Sequence, residues 1–301
     1  MSGKYEFSKT IRDNETLRES FNDLTRATFR FDFKDWYAKG HWQDKYIPHV
    51  LIDDGKVISN ASVNLMKFQM NGQEKRLIQI GTVMTDQKYR RRGLNRRLIE
   101  QILEEYLGKT DGIYLFANDD AKEYYKKLGF QPVKEYEYSC KRVNLTAGEQ
   151  ENYIIEHIDL SVEENCSKLY AAIGEGSAND AFFMSDNLGL YQFWLAAEFG
   201  GNVYYIPQTG NYVIASVEEN TLVVHQIFGE KKLDIHKLAA SFETEISCQE
   251  IKDIRLGFTP VEKESFVVTE HQEEDCTLFI MGKELEQIMR NKIFFPVMSH
   301  A

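Results

Sequence analysis

"QKYRRRGLNRRL" spans residues 87–98 and sets five arginines and a lysine around one glycine, in a 301-residue chain of formal net charge −11. A solvated helix face ordinarily interleaves acids with its bases, so the run reads as a loop built to hold an anion. Before it lies "RLIQIGTVM" (76–84), an apolar run of strand character. After it comes "LNRRLIEQILEEYL" (94–107), with Leu94, Leu98, Ile102 and Leu103 on one helical face. A helix start offers unpaired N–H groups and the positive end of its dipole. Gly93 lets that backbone approach a bulky anion without a Cβ in the way. Strand, basic loop, glycine and helix together make a phosphate-binding device.

Upstream the pattern is that of an antiparallel meander. "HVLI" (49–52) enters the turn "DDGK" (53–56), "VISNASVNLMKFQM" (57–70) follows, and "NG" at 71–72 closes a hairpin onto the strand that feeds the basic loop. That meander, and the lack of GxxxxGK[ST] or GxGxxG, exclude a Walker loop and a dinucleotide fold. Helical spacing covers residues 14–40, with Leu17, Phe21 and Leu24 on one stripe. Downstream, "GIYLFAN" (112–118) reads as a buried strand. "DAKEYYKKLGF" (120–130) reads as a short helix stopped by Gly129, as Gly108 stops the helix before it.

A polar stretch at 141–153 is the natural linker, which predicts one unit over 1–145 and a second over 152–301. The second repeats the meander in "NVYYIP", "YVIASV" and "TLVVHQIF" and follows it with a helix-like run. "LGFQPV" (128–133) and "LGFTPV" (256–261) agree at five of six positions. A duplicated α+β fold accounts for both. Chance recurrence of a Gly-Phe-x-Pro turn is the alternative, since the second interval is shorter. In place of the arginine loop the second half has "GEKKL" (229–233), so it is expected to bind no cofactor and to wall the acceptor cleft. Phe193, Trp194, Tyr204 and Tyr205 are candidate linings or core.

The stretch "GTVMTDQKYRRRGLNRRLIEQIL" (81–103) resembles the acetyl-CoA signature of the GNAT superfamily of N-acetyltransferases, Arg/Gln-x-x-Gly-x-Gly/Ala. Arg90 and Gly93 match, and Asn95 stands where Gly or Ala is usual. A second signature of that family is reproduced by Asn118, Ala121, Tyr125, Gly129 and Phe130. The resemblance implies a mixed α/β fold of tandem GNAT-like halves with acetyl-CoA as cosubstrate. It implies that the backbone of Val83, Met84 and Thr85 pairs with the pantetheine arm. Arg90 and the amides of Arg91, Arg92, Gly93, Leu94 and Asn95 would cradle the pyrophosphate, and Asn118 would meet the cofactor where the central strands part. Tyr125 would be the general acid for the leaving thiolate, with an oxyanion donor near Met84. The chain also loosely resembles the enhanced-intracellular-survival branch, in which the terminal carboxylate reaches the active site. That resemblance makes His300 and the carboxylate of Ala301 candidates near Tyr125. The alternative is a tail that fills the interface between the halves as an edge strand.

Composition bounds the partners. An acidic chain disfavours nucleic acid and anionic membranes and suits a cationic amine or peptide. Four scattered cysteines without a CxxC pair, dispersed histidines, no apolar run of membrane length and a polar start imply a reduced cytoplasmic chain without metal. Glu74, Asp86 and Glu123 are candidate bases. A non-catalytic acyl-CoA sensor and a transferase for another acyl group remain open, as do the acceptor and the oligomeric state.

Overall fold

The computed structural model describes residues 5–143, 152–246 and 250–300. A short β1 (Glu6–Ser8) precedes α1 (Glu15–Phe29), which Asn14 caps by accepting from the Leu17 N–H. The helical spacing over 14–40 resolves into two helices, because Arg30 takes a left-handed conformation and ends α1 before α2 (Lys34–Ala38). Then come β2 (Tyr46–Asp53), β3 (Lys56–Met70) and β4 (Gln73–Thr85). Asp54–Gly55 and Asn71–Gly72, all at positive φ, supply the two tight turns. The first half continues with α3 (Leu94–Tyr106), β5 (Gly112–Ala117), α4 (Lys122–Lys127), β6 (Gln131–Pro132) and β7 (Glu135–Lys141).

The second half opens with β8 (Glu156–His157), α5 (Glu163–Glu175), β9 (Phe183–Ser185) and α6 (Leu188–Trp194). Its meander is β10 (Val203–Ile206), β11 (Asn211–Glu218) and β12 (Thr221–Phe228). It ends with α7 (Ile235–Glu245), β13 (Asp253–Leu256), β14 (Val267–His271), β15 (Thr277–Met281) and α8 (Lys283–Met289). Among the described residues no helix is long and apolar enough to cross a membrane.

Two sheets result, ordered β1-β2-β3-β4-β5-β15-β6 and β8-β10-β11-β12-β13-β7-β14, with β9 added to β3. Position by position they repeat one plan: a meander, a parallel partner reached through a helix, then an antiparallel strand. The division between sheets does not follow the linker. β7 leaves the first half to pair with β13, and β15 leaves the second to pair with β5. Each unit therefore completes the other's sheet. Side-chain alternation specifies which faces of a strand are buried, but not whose edge it joins.

The paired "LGF" stretches are not equivalent. Gly129 follows α4 at φ +94 and stops a helix, whereas Gly257 follows β13 directly and is needed for close approach. A Cβ there would stand 3.0 Å from the His225 backbone.

An aromatic core joins the sheets. Phe68 of β3 stacks on Phe182 at 4.2 Å between centroids, and Phe295 of the C-terminal tail packs at 4.5 Å from Tyr114 of β5. Ile293, Phe295 and Met298 are fully buried. Glu135 accepts from the Phe295 N–H at 3.0 Å, and the Tyr114 hydroxyl donates to Ser299 O at 3.4 Å. The tail thus fills the interface as core, not as an edge strand.

Candidate active site

β4 and β5 pair in parallel only from Leu77–Gln79 to Gly112–Tyr114 and then part. Beyond Gln79 the edge of β4 facing β5 pairs with no strand among the described residues. On its other edge the register with β3 passes from Ser62↔Gly81 to Asn60↔Met84, so Thr82 and Val83 bulge out of the ladder. Thr82 sits at φ +50, where a β-branched residue needs support. Buried polar groups give it: the Asn60 amide donates to Thr82 O at 2.7 Å, and the Tyr46 hydroxyl donates to Thr82 Oγ1 at 2.9 Å.

On the α3 face, a groove of about 490 Å³ follows Val83, Met84 and Thr85 to Arg90, Arg91, Gly93, Leu94 and Asn95. Positive φ at Arg91 (+62) and Gly93 (+73) curls the loop into an amide-lined concavity of the kind that binds anions. Asn14, Asn187 and Asp234 accept from the first amides of α1, α6 and α7, whereas no side chain caps α3. Among the described residues, its first amides thus meet no capping side chain. Asn95 does not obstruct them. Its Oδ1 turns inward and accepts from Ser59 Oγ at 2.6 Å and Thr85 Oγ1 at 2.5 Å, tying α3 to β3 and β4. Arg92 is directed elsewhere, donating to Tyr5 Oη at 3.1 Å and Lys88 O at 2.8 Å.

Tyr125 and Tyr124 stand side by side on α4, their rings 5.1 Å apart. The Tyr125 ring is 5% exposed and shares a core cluster with Leu94 at the start of α3 and Ala117 at the tip of β5. Burial, then the neighbouring Tyr124, raises its phenol pKa above the ordinary value. Tyr124 lines the groove. Its hydroxyl is buried without a hydrogen-bond partner, and burial pushes its pKa up to about 12. Asn118 is exposed at the tip of β5, beyond the groove lining.

The opposite face of the sheet carries a second cavity, about 500 Å³, which meets the bulge at Thr82. Phe116 of β5, Phe33, Trp36, Phe193 and Trp194 wall it. His300 belongs here. Its ring stacks on Phe116 at 3.9 Å, and its carbonyl accepts from the Trp194 indole N–H at 2.7 Å. His300 is therefore not beside Tyr125: Leu115 and Ala117 cluster with Tyr125 on one face of β5, while Tyr114 and Phe116 turn to the other. Ala301 lies outside the described residues. Burial, then His271, lowers the His300 pKa to about 3, so the imidazole is neutral, with a buried Nε2 that has no partner.

Asp32, which sequence reasoning missed, is the carboxylate on this cavity. Burial would raise its pKa, but the Lys34 N–H and the Arg26 guanidinium outweigh that and hold it below the usual range. Its signal was the alternation of aromatic and charged residues in "FRFDF" (29–33). Glu74, Asp86 and Glu123 line neither cavity: Glu74 and Glu123 pair with lysines or arginines, and Asp86 accepts from the Lys88 N–H. Phe193 and Trp194 do line the aromatic cavity, while Tyr204 and Tyr205 pack into core clusters. In the second half the position of the arginine loop ends at Asp234, whose carboxylate accepts from the His236 and Lys237 amides. That helix start already holds its anion. Among the described residues no group of three His, Cys, Asp or Glu could hold a metal ion.

The model of the acetyltransferase (GNAT) domain family matches residues 10–133. A conserved Enterococcus faecalis protein described as a probable N-acyltransferase is 13% identical with a TM-score of 0.59, covering 95% of this chain and 75% of that one. Eis1 from Mycobacterium abscessus is 12% identical with a TM-score of 0.56, covering 92% and 73%. A GCN5-related N-acetyltransferase from Anabaena variabilis is 14% identical with a TM-score of 0.56, covering 92% and 72%. At such identities these likenesses speak for the fold alone. Comparison with curated proteins finds no match. The parted strands, the bulge and the uncapped helix start thus lie within residues 10–133, the stretch that matches the acetyltransferase (GNAT) domain family, and the chain as a whole shares the fold of a probable N-acyltransferase.

Proposed function

We propose that this chain transfers an acetyl group from acetyl-CoA to a primary amine. One observation carries the reading: the open edge of β4 runs without interruption into an uncapped, arginine-flanked helix start. A long ligand that ends in a pyrophosphate needs both, in that order. Acetyl-CoA supplies the thioester. The backbone of Val83–Thr85 binds its arm as an added strand, while Arg90, Arg91 and the first amides of α3 hold the pyrophosphate. Arg92 adds field but no contact. Asn118 borders the mouth of the cleft. The amides of the Thr82–Val83 bulge, freed from the ladder, donate to the thioester oxygen as charge develops on it.

The amine comes from the aromatic side of the sheet, with α6 of the second half as a wall of its cavity. Tyr125 holds the proton for the departing thiolate, and its raised pKa keeps that proton in place at neutral pH. A second reading gives this task to Tyr124, because the residue lines the groove and its hydroxyl has no partner among the described residues. His300 is not the base that deprotonates an ammonium. An imidazole held near 3 cannot take a proton from a group whose ordinary pKa is ~10.4. It can accept a hydrogen bond from the amine once neutral.

A melting titration with acetyl-CoA, coenzyme A and NADH tests the proposal. Ligand at ~100 times its Kd stabilises by about 2.7 kcal/mol, so both coenzyme A species should raise the melting point by several degrees and NADH should not. No shift with either would overturn it. Asn95→Ala separates support from contact. Losing the Asn95 acceptor, while Ser59 Oγ keeps Met84 O and the Ser59 and Thr85 hydroxyls keep each other, should cost about 1 kcal/mol, yet change coenzyme A affinity by less than about threefold. A larger loss of affinity would mean that the Asn95 side chain itself touches the ligand.

A further inference from the structure

The acceptor cavity is more specific than a general amine site, and its chemistry is not what the net charge of −11 suggests. Its walls come from both halves. Phe193 of α6 lies 5.9 Å from Phe33, 5.9 Å from Trp36 and 6.0 Å from Phe31, centroid to centroid, so the rings form one continuous surface. Phe116 and Trp194 close the remaining sides. Among the lining residues, Asp32 is the one carboxylate, and it is already paired with Arg26. Two further lining residues carry a buried atom with no hydrogen-bond partner among the described residues, Asn64 Nδ2 and His300 Nε2. The hydroxyls of Tyr46 and Thr82 are engaged with each other.

From this lining, and resting on the transferase reading above, we propose that the acceptor is a primary monoamine with an aromatic body, of the arylalkylamine class. Aromatic faces hold one ammonium well, since a cation over a ring gains about 0.5–2 kcal/mol as it is desolvated. They also bury an aromatic body, for which about 500 Å³ is ample room. A polyamine or an aminoglycoside would bring several charges into a cavity with one engaged carboxylate, and each unpaired buried charge is heavily penalised. The unpartnered Asn64 amide suits one additional polar group on the acceptor. In the reaction the amine nitrogen forms a bond to the acetyl carbon and the carbon–sulfur bond breaks. One proton leaves the nitrogen, and one is taken up by the thiolate, giving an amide and free coenzyme A.

The test is a turnover screen of the full chain with acetyl-CoA, following thiol release with phenethylamine, tryptamine, spermidine, kanamycin and a lysine-containing peptide. The two arylalkylamines should exceed the others in kcat/KM by at least about tenfold. Phe31→Ala trims a ring that is 40% exposed, so folding should survive. The variant should raise KM for tryptamine by roughly fivefold while coenzyme A affinity holds. Phe193→Ala, with its melting point measured alongside, should raise it further. Preferred turnover of spermidine, kanamycin or the peptide would overturn the assignment of this cavity and leave the transferase reading standing. Acetyl-CoA binding without acetylation of either arylalkylamine would do the same. Failure to bind acetyl-CoA at all would bring down both.

Discussion

Gly93→Asp should weaken coenzyme A binding by at least about 100-fold, because two or more charge-assisted hydrogen bonds, each worth about 1.5–3 kcal/mol, would be lost at once. The reasoning comes from the two halves of the molecule. At α7, Asp234 accepts from the second and third amides of the helix and occupies the site an anion would take. At α3 the corresponding place is Gly93, where a Cβ would meet nothing within 4 Å and no side chain caps the helix. An aspartate there should turn its carboxylate onto the same amides. It tolerates positive φ better than most residues, and a cap stabilises a helix by ~1 kcal/mol. The fold should therefore persist while the ligand meets a carboxylate in place of free N–H groups. Calorimetric titration with coenzyme A and a melting curve without ligand measure the two effects separately. Binding within about threefold of the parent chain would show that α3's amides are not the pyrophosphate site.

How the two halves came to differ at these positions was partly legible. The basic loop, its glycine and the meander before it are local, and local period and turn chemistry specified them. The missing loop in the second half was equally local, although Asp234 as the reason for its closure was not singled out. What stayed hidden depends on contacts distant in the chain. β7 and β15 do not stand out in the sequence, and nothing in their alternation says that each crosses to the other sheet. The aromatic cavity joins Asp32 and Phe33 to Phe193 and His300, which no spacing rule connects. The apolar tail "FFPVMSHA" (294–301) is visible in the sequence, but the packing of Phe295 against β5 is not. The "LGF" match misled in detail, because a helix stop and a close strand approach select the same glycine for different reasons.

Tyr125→Phe should lower kcat by roughly 10²–10³-fold, within the range positioned proton transfer supplies, with KM for acetyl-CoA little changed. The ring packs against Phe130 and Phe279, and removal of one oxygen leaves that packing intact, so a folding defect is not expected. The pH profile carries further information. A general acid works only while protonated, and burial raises this phenol above its ordinary value of ~10. The protonated form is then fully present at neutral pH and is lost only as pH rises through that raised value. No alkaline fall in kcat should appear below about pH 10. Tyr124→Phe is the decisive comparison. Its hydroxyl has no partner among the described residues, so its removal costs the fold nothing that would mimic catalysis. If Tyr124→Phe loses the activity and Tyr125→Phe keeps it, the proton comes from the groove-lining hydroxyl. If each variant retains more than about a third of the parent rate, the thiolate leaves without a protein acid, because even weak general-acid catalysis is worth about 10²-fold.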